Sequence, residues 1–159
     1  MPKIKKKILS DWIDLINGAL RPNEIVELPV LSGSMMPILQ PGKHIKIKYM
    51  PPYEIKTGDI IIFKDNNSLT AHRALIKISI ANKVFIYQKG DTNRFGGWII
   101  GEKIIGTVIS AQNNKNIFID LTAQNQKKLA RILCFKNIRN VILDSILILP
   151  RKIKWLLKI

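Results

Sequence analysis

Between Lys43 and Leu121 the chain is a succession of short apolar, mostly β-branched runs cut by asparagines and glycines. That pattern constrains the fold more than any other feature, because it suits strands and excludes a helix bundle over most of the length. Lys43–Tyr49 alternates, with Ile45, Ile47 and Tyr49 on one side and His44, Lys46 and Lys48 on the other. Ile60–Phe63 is a continuous apolar run after Gly58, as a strand buried on both faces requires. Ala71–Ile80, Val84–Gln88, Ile104–Ser110 and Asn116–Leu121 follow at short spacing, and Asn66-Asn67-Ser68, Asn82 and Asn113-Asn114 supply turns between them. The expectation is a mainly β protein: one compact antiparallel β domain.

The two ends read differently. Ser10 before Asp-Trp-Ile-Asp-Leu-Ile predicts an N-cap and a short helix that stops near Gly18 and Pro22. The last thirty residues predict one or two amphipathic helices, with Pro150 as the break. The organisation expected is therefore a short N-terminal helix over 1–20, a β-rich domain over 21–125, and a basic helical segment over 126–159.

Charge follows the same division. The formal net charge is +15 over 159 residues. The first seven residues carry four lysines and no acid, whereas residues 127–159 carry nine Lys/Arg and one acid, Asp144. Bases at such ends attract anionic lipid, at about 1 kcal/mol per Lys/Arg near the surface, and in the C-terminal segment they alternate with Ile132, Leu133, Phe135, Ile138 and Ile142. Peripheral contact with an anionic membrane through residues 1–7 and 127–159 is the expectation, with docking of the C-terminal segment on the core as the competing one. Nucleic acid is not the expected partner, because the three Trp and five Phe are scattered rather than grouped for stacking.

No run approaches the roughly 18–20 apolar residues of a membrane span, and the basic start is interrupted by Asp11 and Asp14, unlike a signal peptide. The location expected is a membrane periphery or the cytoplasm. A single cysteine, Cys134, and two histidines exclude an internal disulfide and Cys-based zinc motifs. No metal and no cofactor are expected.

Two residues carry candidate chemistry. Ser34 sits in Leu31-Ser-Gly-Ser-Met-Met-Pro37, a loop by composition. His72 alternates along its run with Ala74, Ile76, Ile78 and Ile80, while Arg73 and Lys77 take the other side. Periodicity alone leaves His72 as either a core histidine or a catalyst. His44 shares its side with Lys46 and Lys48, so it reads as solvated.

Taken together, Ser32-Gly33-Ser34-Met35-Met36-Pro37, Gly58-Asp59-Ile60-Ile61-Ile62-Phe63, His72-Arg73 and Lys89-Gly90-Asp91-Thr92-Asn93 resemble, in order and spacing, the four boxes of type I signal peptidases. The resemblance spans residues 29 to about 110, and His72-Arg73 is similar to the Ser–His branch rather than the branch with a lysine base. It implies a serine endopeptidase that cleaves a leader or signal peptide by acyl transfer. Ser34 would be the nucleophile and His72 the general base that activates it and returns the proton to the leaving amine. The oxyanion would be held by the Ser34 N–H and the Ser32 hydroxyl. The substrate would be an extended peptide or preprotein added along a strand edge, with small side chains before the cut.

The chain departs from that pattern in two places. Asp91 supplies an acid for the second ring nitrogen of His72, but Arg94-Phe95-Gly96-Gly97-Trp98 contains no second carboxylate. Asp91 is expected either to orient His72 or to pair with Arg73 or Arg94. Asp59, in Gly-Asp before a strand, reads as turn chemistry. The other departure is the lack of the family's transmembrane anchor, which makes ordinary secretory preproteins a poor expectation as substrates. The alternative function is a non-enzymatic peptide-binding clamp on the same fold, held to membrane or partner by its basic ends.

Overall fold

The computed structural model describes residues 24–65 and 68–157, so the expected N-terminal helix and the Asn66-Asn67 turn lie outside the described residues. Eight strands form one sheet: β1 (Ile25–Pro29), β2 (His44–Lys48), β3 (Ile60–Asp65), β4 (Ser68–Ile80), β5 (Lys83–Lys89), β6 (Gly97–Ile100), β7 (Ile104–Gln112) and β8 (Phe118–Asp120). A 3-10 turn, Gly101–Lys103, joins β6 to β7, and one long helix, α1 (Gln124–Leu157), closes the chain. The spatial order is β1-β2-β7-β3-β4-β5-β6, and every pairing is antiparallel. β8 adds to β7 at Ser110–Gln112, beyond the stretch that pairs with β3. The mainly β architecture is thus the one expected, with α1 where the C-terminal segment was read as helical.

The core explains the composition of β3. Because side chains alternate across a strand, Ile60 and Ile62 enter one apolar cluster, with Val30, Met35, Leu39, Ile45, Ile47 and Val108. Ile61 and Phe63 enter a second cluster on the other face, with Ile55, Ala74, Ile86 and Ile104. A strand buried on both sides has no polar face to alternate with. Each fully buried aliphatic side chain contributes about 1.5–3 kcal/mol.

β4 departs from the regular alternation. Its register with β5 pairs Arg73 with Lys89 and Ala74 with Gln88, then shifts so that Ile76 pairs with Tyr87. This bulge inserts Leu75 as an extra, buried residue and exchanges the faces beyond it. Ile76, Ile78 and Ile80 therefore do not continue the His72 face. They lie on the Arg73 face and are exposed, Ile80 at 61%. The β4–β5 hairpin closes through Ala81 and Asn82, both at positive φ (46° and 61°), the two-residue turn that matches strand twist.

α1 docks on the sheet through its inner side. Cys134 and Asn137 are buried there, and the Cys134 thiol lies 3.9 Å from the carbonyls of Ala74 and Leu75. Gly58, at φ +100°, lets the chain turn under the helix, where an added Cβ would meet Ala130 Cβ at 3.5 Å. The helix is continuous through Pro150 rather than broken there. Proline removes one i→i−4 hydrogen bond, and the turns on either side carry the helix across it. Among the described residues no helix is long and apolar enough to cross a membrane.

Candidate functional site

The site is built where the β4–β5 ladder meets the loop after β5. On one face of the ladder, His72 and Gln88 are diagonal neighbours, because Gln88 pairs with Ala74, two residues beyond His72. On the other face, Arg73 and Lys89 are paired and lie beneath α1, both at most 2% exposed. The Lys89-Gly90-Asp91-Thr92-Asn93 stretch then turns back and touches both faces.

His72 is partly buried against Phe63, with ring centroids 5.9 Å apart. Its Nδ1 is 2.5 Å from Gln88 Oε1, and Asn93 Nδ2 is 3.4 Å from its Nε2. With the amides so oriented, Nδ1 carries the proton and donates to Gln88, while Nε2 keeps its lone pair toward Asn93. Burial pushes the imidazole below the ordinary histidine value near 6.5, and Lys89 acts in the same direction. The bond to Gln88 and the charges of Asp91 and Asp65 offset part of that shift. At neutral pH the ring is uncharged and basic at Nε2.

Ser34 opens the turn between β1 and β2. Met35 and Leu39, each 1% exposed, anchor this turn in the first apolar cluster, with backbone bonds Met36 N–H to Gly33 O and Leu39 N–H to Met35 O. The Ser34 carbonyl accepts from the Thr92 N–H (3.0 Å) and the Thr92 hydroxyl (3.1 Å), which also reaches Gly33 O. Gly90 is the pivot: a Cβ there would stand 2.8 Å from Ser34 O and 2.9 Å from Asn93 Cγ. Ser34 and His72 therefore border the same four-residue loop, one through its backbone and the other through Asn93. Among the described residues the Ser34 hydroxyl forms no hydrogen bond to His72.

The other expected site residues fall as follows. Asp91 binds Arg73 through both oxygens, Nε to Oδ1 at 2.8 Å and Nη2 to Oδ2 at 2.6 Å, and makes no hydrogen bond to His72. Arg73 also donates to Gly58 O at 2.8 Å, so this ion pair fastens the Gly90–Asn93 loop to the turn before β3. Asp91 thus departs from the orienting role: its carboxylate is committed to the opposite face of β4, and only its charge reaches the imidazole. Ser32 is exposed and makes no hydrogen bond to another described residue. Asp59 accepts from Lys56 N–H at 2.8 Å in the turn before β3, as its sequence context indicated. His44 is exposed beside Gln112, away from the site.

Three residues of this neighbourhood escaped the sequence. Gln88 was legible only as a strand residue, and nothing local marks it as the partner of His72. Asn93 stood in the quoted box without a role. Asn137, thirteen residues into α1, donates to Asp91 Oδ1 and accepts from Lys89 Nζ, both at 3.0 Å, and so ties the helix to the loop. No sequence signal links positions so far apart. Set against known proteins, the chain matches no family model, no curated protein and no solved structure.

Proposed function

We propose that the protein is a serine endopeptidase of signal-peptidase type that cleaves a leader or signal peptide, with Ser34 as nucleophile and His72 as general base. The observation that carries this reading is the shared loop: Gly90–Asn93 is bonded to the Ser34 carbonyl and presents Asn93 to Nε2 of a neutral His72. A contact of 3.4 Å is long for a hydrogen bond, and a hydroxyl entering beside Asn93 would find an acceptor already poised. His72 Nε2 would take the Ser34 proton as Oγ attacks the peptide carbonyl, then return it to the leaving amine. The Ser34 N–H and Ser32 hydroxyl are the donors proposed for the oxyanion.

The partners of this reading are an extended peptide and an anionic membrane surface. The outer side of α1 supports the latter. Lys128, Ile132, Phe135, Arg139 and Ile142 recur at helical spacing on that side, flanked by Arg131 and Lys136, and all are exposed. Residues 124–143 contain no acid, and the helix of 34 residues is about 51 Å long. The basic face over residues 128–142, with Phe135 at 76% exposure, suits a flat, anionic, partly apolar partner.

The experiment is cleavage of a library of leader peptides by the wild type, Ser34→Ala, His72→Ala and His44→Ala. The first two substitutions should abolish cleavage and the third should leave it near wild type. The peptide-clamp reading rests on the absence of a direct Ser34–His72 bond among the described residues. It holds if the wild type binds peptide without cutting it and Ser34→Ala binds equally well.

A further inference from the structure

We infer that Gln88 is the positioning residue for His72: its side-chain oxygen takes the place a carboxylate would hold behind the imidazole and fixes the tautomer that leaves Nε2 basic. For its catalytic consequence this rests on the peptidase reading above, although the geometry stands without it.

Four observations converge. Nδ1 of His72 and Oε1 of Gln88 are hydrogen-bonded to each other. Gln88 is 8% exposed, so few rotamers are open to it and water competes poorly for the ring proton. The acid of the adjoining loop, Asp91, has both oxygens on Arg73. Finally, glycine stands where a further acid could have, and at Gly96 no side chain would fit, whereas Gly97 has room for ordinary contact. A Cβ at Gly96 would lie 2.2 Å from Gln88 O, and one at Gly97 would meet Gln88 Nε2 at 3.6 Å. The ladder itself places the amide: Ala74, the residue across from Gln88, is small, and the Gln88 side chain leans diagonally to His72.

A neutral amide acts differently from a carboxylate. It selects the Nδ1–H tautomer and the ring orientation, but it does not place a full negative charge against the imidazolium that forms during the reaction. The charged groups around the ring are Asp65 on β3, Lys89 on β5 and Asp91 in the loop, with Phe63 against its face. None of the three charges is hydrogen-bonded to Nδ1. The protein has therefore separated orientation, which Gln88 supplies, from charge, which reaches His72 only at a distance.

The test uses protein carrying nitrogen-15 histidine, followed by NMR from pH 4.5 to 9, with the exposed His44 as an internal reference. Wild type, Gln88→Met and Gln88→Glu are compared. In the wild type His72 should show the Nδ1–H tautomer. Gln88→Met, close in shape but without the acceptor, should bring the Nε2–H tautomer into the spectrum. Gln88→Glu should keep the Nδ1–H form and move the His72 titration upward by about one unit or more. In a cleavage assay Gln88→Met should lower kcat about tenfold or more with little change in KM, and Gln88→Glu should shift the acidic limb of the rate profile upward. An unchanged His72 tautomer in Gln88→Met, or an unmoved titration in Gln88→Glu, overturns the assignment. The NMR result is independent of cleavage, so a protein that cuts nothing would refute the peptidase reading while leaving the role of Gln88 decided. An unchanged Tm in each variant shows that the fold is intact.

Discussion

Asp91 grips Arg73 with both carboxylate oxygens, at 2.8 and 2.6 Å, in a pair that is almost completely buried. Arg73 follows His72 in the chain but points to the other face of β4, so the acid of the Gly-Asp-Thr-Asn stretch serves the loop rather than the ring. Its work is mechanical: it joins the turn at Gly58, the loop at Gly90–Asn93 and, through Asn137, the docked helix.

Breaking that pair should therefore register first as stability. Removing one partner strands a buried charge, which costs about 3–5 kcal/mol. Arg73→Leu is expected to lower Tm by about 6 °C or more, since 1 kcal/mol corresponds to roughly 2–4 °C at this size. Calorimetry of the variant checks this, and an unchanged Tm would mean that the pair carries little of the fold.

Gly90 should be intolerant of any side chain. A Cβ would overlap Ser34 O at 2.8 Å and Asn93 Cγ at 2.9 Å, so Gly90→Ala must separate the Ser34 turn from the residue facing His72. We expect cleavage to fall about tenfold or more, because small displacements of reacting groups are felt strongly. Rates of Gly90→Ala beside those of Gly42→Ala check this, since no atom lies within 4 Å of a Cβ at Gly42, where only the backbone angle (φ +79°) and not a contact opposes a side chain.

The pH dependence has a definite sign. His72 is shifted downward, chiefly by burial, so its basic form persists below the ordinary histidine range. The kcat/KM profile should be flat from neutral pH upward and fall on acidification through an apparent pKa below 6.5. Folding stability should follow in the same direction: the contribution of neutral His72 is complete above 6.5 and is lost as pH falls through the lower folded value. A rate still climbing through pH 9 would point to a lysine base instead.

Much of this was legible in the chain and some was not, for reasons the structure makes plain. Ile60–Phe63 announced a doubly buried strand because no polar residue interrupts it. β1 was not apparent, since Glu27 and Pro29 dilute an edge strand that is only half-buried. β6 was hidden by Gly96-Gly97, which reads as a loop yet is what lets the strand approach Gln88. The His72 face was misjudged past Ala74, because a bulge leaves no mark in periodicity. At the site, Ser34 and His72 stood out through neighbouring residues in sequence, whereas Gln88 and Asn137 act through pairings that only the folded sheet and helix create.

The outer face of α1 should hold the protein on anionic bilayers. Sedimentation with vesicles of phosphatidylcholine containing phosphatidylserine should retain the protein at low salt, with binding weakening as salt rises. Phe135→Ser with Ile132→Ser, both at exposed positions, should reduce retention several-fold without lowering Tm. Equal retention on pure phosphatidylcholine, or no loss in the double variant, would contradict this surface.

The most direct test of the central claim is to trap the covalent intermediate. Wild-type protein is mixed with a cleavable leader peptide, quenched in acid within a turnover, digested and examined by mass spectrometry. The acyl part of the peptide should be joined as an ester to Ser34, and the adduct should be missing in His72→Ala. Cleavage that proceeds with no adduct at Ser34, or with the acyl group on another residue, would contradict it.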